Sequence, residues 1–278
     1  MVAAFLISFR EGLEAALIIG IILGYLRKTK AAQQKRRFVW VGVLLAVLLS
    51  IASAAGLQFI GFAFEGRAEE IFEGATMLLA AGVLTWVIFW MRRQSRFMKS
   101  SLEHHLQGAT RSGAHWGLLG VAFLSVFREG IETALFLSAA AFTSDGTSAL
   151  LGATLGLILA ISAGYVIYAS ASRLNLRKFF NVTSLLLLLF AAGLVAHGVH
   201  ELQEAGLLIT YKEHLWDINR ILDESSPLGE LLKTLIGYNG NPSLLEVIAY
   251  WSYWILVLVG LRRWMIRNSV QGEIAGGT

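Results

Sequence analysis

Seven long apolar segments dominate this sequence and limit the folds that it can adopt. Each is long enough for an α-helix to cross the hydrocarbon core of a bilayer, which takes about 20 residues. Lipid offers the backbone no hydrogen-bond partners, so such segments fold as helices. We therefore predict an all-α polytopic membrane protein with seven transmembrane helices, at residues 2–26, 38–63, 70–91, 116–142, 147–170, 179–199 and 244–264.

The composition agrees with a membrane protein and narrows its chemistry. Of the 278 residues, 56% are hydrophobic and 15% are charged, whereas soluble domains contain about 25% charged residues. The chain has no cysteine and its five methionines are scattered, so disulfides and sites for soft metals are not expected. Basic cytoplasmic loops next to membrane lipid account for the net charge of +4. No nucleic-acid partner is therefore predicted.

Basic residues mark the side of the membrane that we expect to be cytoplasmic. Most of the 23 Lys and Arg residues fall in the segments 27–37, 92–115 and 171–178 and near the C-terminus. The positive-inside rule then places the N-terminus outside and the C-terminus in the cytoplasm of a multi-pass cell-membrane protein, in a bacterium the inner membrane. The opposite face carries the acidic segment 200–243, which attracts cations or is simply a solvated surface.

The sequence repeats itself. Residues 4–17, AFLISFREGLEAAL, and residues 122–135, AFLSVFREGIETAL, share ten identities in fourteen positions. The copies lie on the first and the fourth predicted spans, which are three spans apart and therefore cross the membrane in opposite directions. We expect a 3+3 inverted repeat plus one additional helix, with a substrate site near the bilayer midplane. The predicted parts are a first three-helix repeat at 1–91, a cytoplasmic loop at 92–115, a second, inverted repeat at 116–199, an extracytoplasmic segment at 200–243, the seventh transmembrane helix at 244–264 and a cytoplasmic tail at 265–278.

Each copy of the repeat carries the motif Arg-Glu-Gly-x-Glu at the middle of its helix. Residues three and four apart share one side of a helix, so the charged groups of one motif lie together. If the two motif helices cross, four carboxylates converge into an oxygen-only cage: Glu11, Glu14, Glu129 and Glu132. Gly12 and Gly130 are expected to remove side chains where the helices approach. Carboxylate oxygens suit hard or borderline cations.

The formal charge of this group also points to a cation. Four carboxylates with Arg10 and Arg128 sum to −2, which matches a divalent ion, and Glu73 at the start of the third helix would add one further charge. The alternative is that each motif is an intramembrane ion pair that locks helix packing. A pair needs one glutamate, however, and each motif supplies two.

A second group of metal-binding residue types lies at the outer end of the sixth helix. His197, His200, Glu201 and Glu204 occupy one helical stripe, which predicts a site that collects metal above the pathway. A solvated end of an amphipathic helix explains the same pattern. Two small-residue pairs, Gly20-x3-Gly24 and Gly152-x3-Gly156, are expected to mark close helix contacts.

Two Arg-Glu-Gly-x-Glu motifs in a seven-helix chain resemble the signature of the high-affinity iron permeases. In fungi these proteins work with a multicopper ferroxidase, and in bacteria they form the permease of an elemental-iron uptake system. The stretch 237–246, GYNGNPSLLE, is similar to the family's segment before the seventh helix. The resemblance implies iron translocation, with the four motif glutamates as ligands and Arg10 and Arg128 as their partners.

The resemblance also implies that Fe2+ or Fe3+ is a transported substrate, that no cofactor is permanently bound, and that the protein is not an enzyme. The chain has no counterpart of the large N-terminal domain of some bacterial relatives, so we expect any extracytoplasmic oxidase, peroxidase or iron-delivery protein to be a separate polypeptide. Some bacterial relatives are linked to lead uptake. Transport of another divalent metal, such as lead or manganese, is therefore an alternative.

Functions of other classes fit the sequence less well. A seven-helix receptor would have the same layout, but the segment 244–264 has no lysine for a retinal Schiff base and a receptor does not explain the repeat. A carrier of organic cations would need aromatic residues around the motif. An intramembrane enzyme is disfavoured because the spans contain no Ser-His, paired Asp or HExxH arrangement.

Overall fold

The computed structural model describes residues 1–28, 32–62, 64–94, 115–142, 146–170, 176–212, 214–224 and 226–275. Most of the predicted cytoplasmic loop 92–115 lies outside these ranges. The described residues contain eight α-helices and no β-strand, which confirms the all-α class. The helices are α1 (Val2–Lys28), α2 (Ala32–Phe62), α3 (Arg67–Gln94), α4 (His115–Phe142), α5 (Gly146–Ser170), α6 (Leu176–Glu204), α7 (Pro227–Ile236) and α8 (Leu244–Ala275).

The long helices make this a multi-pass membrane protein. Five of them contain segments that are long and apolar enough to cross a bilayer: Arg36–Gly61, Arg67–Met91, Gly146–Ile167, Phe179–Glu204 and Leu244–Arg263. The other two long helices, α1 and α4, have 27 and 28 residues, which is sufficient length, but each carries the three charges of one motif near its middle. The prediction of seven crossings thus depends on α1 and α4.

Two helical segments differ from the prediction. The short helix α7 lies inside the segment 200–243, for which no helix was predicted. Helix α8 continues to Ala275, so the residues predicted to form a tail after 264 are largely helical. The reason is local, because no proline interrupts the chain after Pro242 and an apolar boundary does not by itself end a helix.

Helix α1 packs along α5, and α2 packs along α4; these are the two most extensive helix contacts. Small residues make the first contact possible, since a Cβ atom at Gly156 would lie 3.0 Å from the backbone nitrogen of Phe9. Gly152 likewise meets the start of α1, which confirms the predicted contact at Gly152 and Gly156. The prediction for Gly20 and Gly24 is wrong, because no atom lies within 4 Å of a Cβ placed on either residue.

Helices α3 and α6 form the third large contact and run antiparallel. A Cβ atom at Gly74 would lie 2.9 Å from the carbonyl oxygen of Gly198, so the start of α3 meets the end of α6. The main apolar core joins α1, α3, α4, α6 and α8. Helix α8 is fastened to it by a hydrogen bond of 2.8 Å between the Thr85 and Tyr253 hydroxyls. By contrast, α2 and α5 expose long rows of Leu, Ile and Val side chains, as lipid-facing helices do.

The segment between α6 and α8 folds back against α6. The Ser226 hydroxyl caps α7 by accepting a hydrogen bond of 3.0 Å from the Gly229 nitrogen, and Gly237 ends the helix with a φ of 69°. A Cβ atom at Gly193 would lie 2.7 Å from the Gly237 Cα, so these two glycines allow direct backbone contact. Residues 237–243 are therefore held against the C-terminal half of α6.

Candidate metal centre

The two motifs meet because α1 and α4 pack against each other. Glu11, Glu14 and Glu129 are buried, and one carboxylate oxygen from each lies within 4.8 Å of the other two. Among the described residues, no other set of three His, Asp or Glu side chains is this compact. Glu132 is also buried, on the same helix as Glu129, but it lies outside this set of three.

The two motifs share the pattern Arg-Glu-Gly-x-Glu but pair their charges differently. In the first motif, Arg10 Nη1 donates to Glu11 Oε1 at 2.7 Å, while Arg10 Nε lies 3.3 Å from Glu14 Oε1 without forming a hydrogen bond. In the second motif, Arg128 Nε donates to Glu132 Oε1 at 2.8 Å. Arg10 therefore forms ion pairs with both glutamates of its motif and a hydrogen bond with the adjacent one, whereas Arg128 pairs only with the glutamate one turn further along.

Each of the four motif carboxylates keeps one buried oxygen that no described protein group bonds. These atoms are Glu11 Oε2, Glu14 Oε1, Glu129 Oε2 and Glu132 Oε2. A buried polar atom without a partner is destabilising by about 1–3 kcal/mol, and more when it carries charge. A cation bound between α1 and α4 would supply the missing partner for these oxygens, and hard or borderline metal ions prefer such ligands.

The motif glycines face helices other than the two that carry the motifs. A Cβ atom at Gly12 would lie 2.9 Å from the Cβ of Ala160 on α5, and a Cβ atom at Gly130 would lie 2.6 Å from the Cβ of Ser50 on α2. The expectation that these glycines let α1 and α4 approach each other is therefore wrong. Each glycine instead lets its motif helix pack on the neighbouring lipid-facing helix.

The remaining partners of the motif arginines come from the C-terminal end of α3. Arg10 Nη2 donates to the Met91 sulfur at 2.7 Å. The Arg128 guanidinium lies over the Trp90 ring, with Cζ 4.1 Å from the ring centroid. Neither residue was singled out from the sequence, because a methionine and a tryptophan in an apolar span look like ordinary membrane-facing or core residues.

Glu73 does not join the central group. It lies in the second turn of α3, is half-buried, and interacts electrostatically with Glu69 and Glu201. Its neighbours thus belong to the start of α3 and to the C-terminal end of α6, which packs antiparallel on it. The structure places Glu73 beside the outer stripe and apart from the four motif carboxylates.

The four residues of the outer stripe have different surroundings. His200 Nε2 lies 3.4 Å from Glu204 Oε1, and His200 Nδ1 lies 3.0 Å from Glu246 Oε1. His197 Nδ1 lies 3.0 Å from the carbonyl oxygen of Gly193, which can only accept, so this nitrogen carries the proton. Glu201 is half-buried beside Gly74. The stripe is therefore partly engaged in hydrogen bonds and ion pairs with its own helix and with α8.

Glu246 connects the outer stripe to the segment before α8. Its carboxylate accepts hydrogen bonds from Asn239 Nδ2 at 2.7 Å and from the Ser243 backbone nitrogen at 3.1 Å, in addition to the His200 contact. Ser243 Oγ in turn accepts from the Glu246 backbone nitrogen at 3.3 Å, which makes this a capping box at the start of α8. A buried glutamate with three partners fixes the geometry of this outer end.

The model of the Iron permease FTR1 family matches residues 1–271. The chain belongs to this family. It is 40% identical over 261 residues to the ferrous iron permease EfeU of Yersinia pestis, covering 93% of this chain and 92% of that protein. It is 39% identical over 264 residues to ferrous iron permease EfeU of Escherichia coli O157:H7, covering 93% and 94%. No solved structure matches the chain.

Membership of the iron permease family confirms the resemblance that the paired motifs indicated. The family and the relatives are named permeases, which indicates a transporter rather than an enzyme. Within the described residues, the carboxylates of Glu11, Glu14 and Glu129 on α1 and α4 are the group of three His, Asp or Glu side chains close enough to hold one metal ion.

Proposed function

We propose that this permease imports iron through a site formed by Glu11, Glu14 and Glu129, with Glu132 as a fourth carboxylate on the same side. The observation that carries the proposal is the set of four buried carboxylate oxygens without a hydrogen-bond partner among the described residues. Ionisable groups inside a membrane are rare and mark substrate or ion pathways. The compact spacing of three of these carboxylates fits one small ion better than an organic substrate.

The charge of the site supports a divalent ion. Arg10 forms ion pairs with Glu11 and Glu14, and Arg128 forms one with Glu132, so two guanidinium groups face four carboxylates and the formal charge of the group is −2. Two negative charges in a low-dielectric environment attract a divalent cation strongly. The relatives are named ferrous iron permeases, and we propose Fe(II) as the substrate of this chain too.

A 3+3 inverted repeat would place this site at the centre of the transport pathway. Its support is the pair of fourteen-residue segments on α1 and α4, together with the packing of α1 on α5 and of α2 on α4. If α1 corresponds to α4 and α2 to α5, these two contacts are equivalent. The proposed topology has seven crossings, the N-terminus outside and the C-terminus in the cytoplasm.

The outer ends of α3 and α6 would guide metal ions to this site. His197, His200, Glu201 and Glu204 lie on α6, and Glu73 faces them from α3. Together with the acids of segment 200–243, they give the outer mouth a negative character that raises the local concentration of cations. An oxidase, peroxidase or iron-delivery protein outside the membrane would supply the ion, and no cofactor needs to be bound permanently.

The test of the central site is metal uptake into vesicles that contain the purified permease. We expect uptake of Fe(II), and its loss in Glu129→Gln while the protein still folds, because a neutral amide is a poor replacement for an anionic ligand. Glu65→Gln is the matched control, since Glu65 is exposed outside the central site. Parallel assays with Fe(III), Mn(II) and Pb(II) determine the transported ion. Normal Fe(II) uptake by Glu129→Gln would refute the proposed site.

The outer stripe has its own test. Replacing His197, His200, Glu201 and Glu204 together by alanine should raise the iron concentration that gives half-maximal uptake, while maximal uptake stays largely intact, because the ions are collected less effectively but still fit the central site. Unchanged kinetics would show that the stripe is only a polar helix end.

A further inference from the structure

Two consecutive residues of α3 contact the two motif arginines, and both contacts are made by uncharged groups. Met91 accepts a hydrogen bond of 2.7 Å from Arg10 Nη2, and the Trp90 ring lies 4.1 Å from Arg128 Cζ. Successive side chains on a helix point about 100° apart. One end of α3 can therefore reach the arginine of α1 and the arginine of α4 at the same time.

The contact with Met91 limits what Arg10 can bind. A guanidinium group has five N–H donors and prefers to bind a carboxylate through two parallel hydrogen bonds. Arg10 is almost fully buried and donates Nη1 to one oxygen of Glu11, but Nη2 points to the thioether of Met91, a weak and uncharged acceptor. Glu11 Oε2 and Glu14 Oε1 consequently remain without a hydrogen bond.

The contact with Trp90 acts in the same way on Arg128. The guanidinium face lies on the electron-rich ring, which attracts the cation without adding a negative charge. Its Nε binds Glu132 Oε1, while Glu132 Oε2 remains without a hydrogen-bond partner. Glu129, on the same helix, makes no ion pair within the part of the chain that is described.

We propose that Trp90 and Met91 are positioning residues of the metal site. They hold each arginine so that it donates a hydrogen bond to a single carboxylate oxygen, and the four oxygens without a hydrogen bond stay open to the transported cation. Without these neutral partners, each guanidinium group would donate a further hydrogen bond to a second carboxylate oxygen and occupy an atom that is needed as a ligand. This inference rests on the proposed function and explains how the site keeps its negative charge next to two arginines.

Variants of Met91 separate this role from packing. Met91→Leu keeps a similar volume but removes the acceptor, so we expect it to raise the Fe(II) concentration for half-maximal uptake by about tenfold or more, as loss of an outer partner of a metal site does. Met91→Gln places a carbonyl oxygen within reach of Arg10 Nη2 and should restore wild-type kinetics. If Met91 only fills space, Leu is tolerated and Gln is harmful, and that result would overturn the inference.

Variants of Trp90 test the second arginine independently. Trp90→Phe keeps an aromatic face and should retain most of the affinity for Fe(II), whereas Trp90→Leu should raise the half-saturation concentration. Trp116→Leu is the matched control, because Trp116 is 75% exposed and lies at the start of α4, about three turns before Arg128. Equal kinetics of Trp90→Phe and Trp90→Leu would contradict the proposed role, and these two variants decide the matter if Met91→Gln does not fold.

Glu129→Gln, assayed in the same vesicles, separates the inference from the function on which it rests. If Glu129→Gln transports normally, the proposed site is wrong. If Glu129→Gln is inactive while Met91→Leu and Trp90→Leu have wild-type half-saturation, the site stands and the positioning role of α3 is wrong. Uptake is normalised to permease that elutes as a single folded species after detergent extraction.

Discussion

Replacing Glu14 by glutamine tests whether this carboxylate is a ligand or only the partner of an arginine. Glutamine keeps the size and hydrogen-bonding capacity of glutamate and removes the negative charge. Glu14 Oε1 lies 3.3 Å from Arg10 Nε without forming a hydrogen bond, whereas Glu11 binds the same arginine at 2.7 Å. The charge of Arg10 thus remains balanced by Glu11 in the Glu14→Gln variant.

The size of the effect follows from the loss of one charge next to the ion. Two unit charges at about 4 Å attract each other by about 4 kcal/mol at an effective dielectric constant of about 20. That energy corresponds to a factor of about 1,000 in affinity. The doubled charge of Fe(II) increases the attraction, and the desolvation of the carboxylate opposes it. We therefore expect Glu14→Gln to bind Fe(II) about 1,000-fold more weakly and to show no uptake at micromolar iron.

A double variant, Glu14→Gln with Arg10→Gln, can refute the role of Glu14 as a ligand. If Glu14 exists to neutralise Arg10, the damage in Glu14→Gln comes from an unbalanced arginine, and adding Arg10→Gln should restore uptake. If Glu14 is a ligand, the double variant stays inactive although it folds. The measurements are Fe(II) uptake by the single and double variants and their thermal unfolding in detergent. Recovery of uptake in the double variant would disprove the role of Glu14 as a ligand.

Three further predictions concern topology, packing and the outer end. Tags inserted at 30–36 should be cytoplasmic and tags at 220–226 extracytoplasmic, and finding both on one face by accessibility labelling would contradict the inverted repeat. Gly12→Leu should reduce stability by about 1–3 kcal/mol through overpacking against α5, whereas Gly20→Leu, in open space, should unfold at the wild-type temperature. Glu246→Ala should cost about 1–3 kcal/mol because Asn239 and the capped start of α8 lose a buried acceptor; unchanged thermal unfolding would argue against this role.

The sequence could predict the helices because each long apolar segment satisfies a simple physical demand. A segment that meets lipid must bond its own backbone, so hydropathy and length nearly determine the helix. The paired motifs could be found for a related reason, since three charges near the middle of α1 or α4 are costly in lipid and need a polar environment. These inferences need no knowledge of how the helices pack.

Packing partners could not be predicted in the same way. Gly12 and Gly130 indicated close contacts, but a glycine does not specify which helix it meets. Gly12 faces α5 and Gly130 faces α2. Trp90 and Met91 are apolar residues whose role appears only when α3 lies beside the arginines. Helix α7 had a local signal, Ser226 before a proline and Gly237 at the end, but these caps lie in a segment that was interpreted as an outer loop.

The packing of α1 on α5 and of α2 on α4 means that the two halves of the chain are interlocked. Residues 1–94 contain α1 and α2 but neither of their main partners, which both lie between 115 and 170. Expressed alone, the first half would expose to lipid the surface of α1 around Gly12, which packs on α5, and the surface of α2 that packs on α4. Under the proposed inverted repeat, two copies of one half could close these surfaces on each other, in opposite orientations across the membrane. On that proposal, the single chain corresponds to an antiparallel dimer whose subunits have been joined.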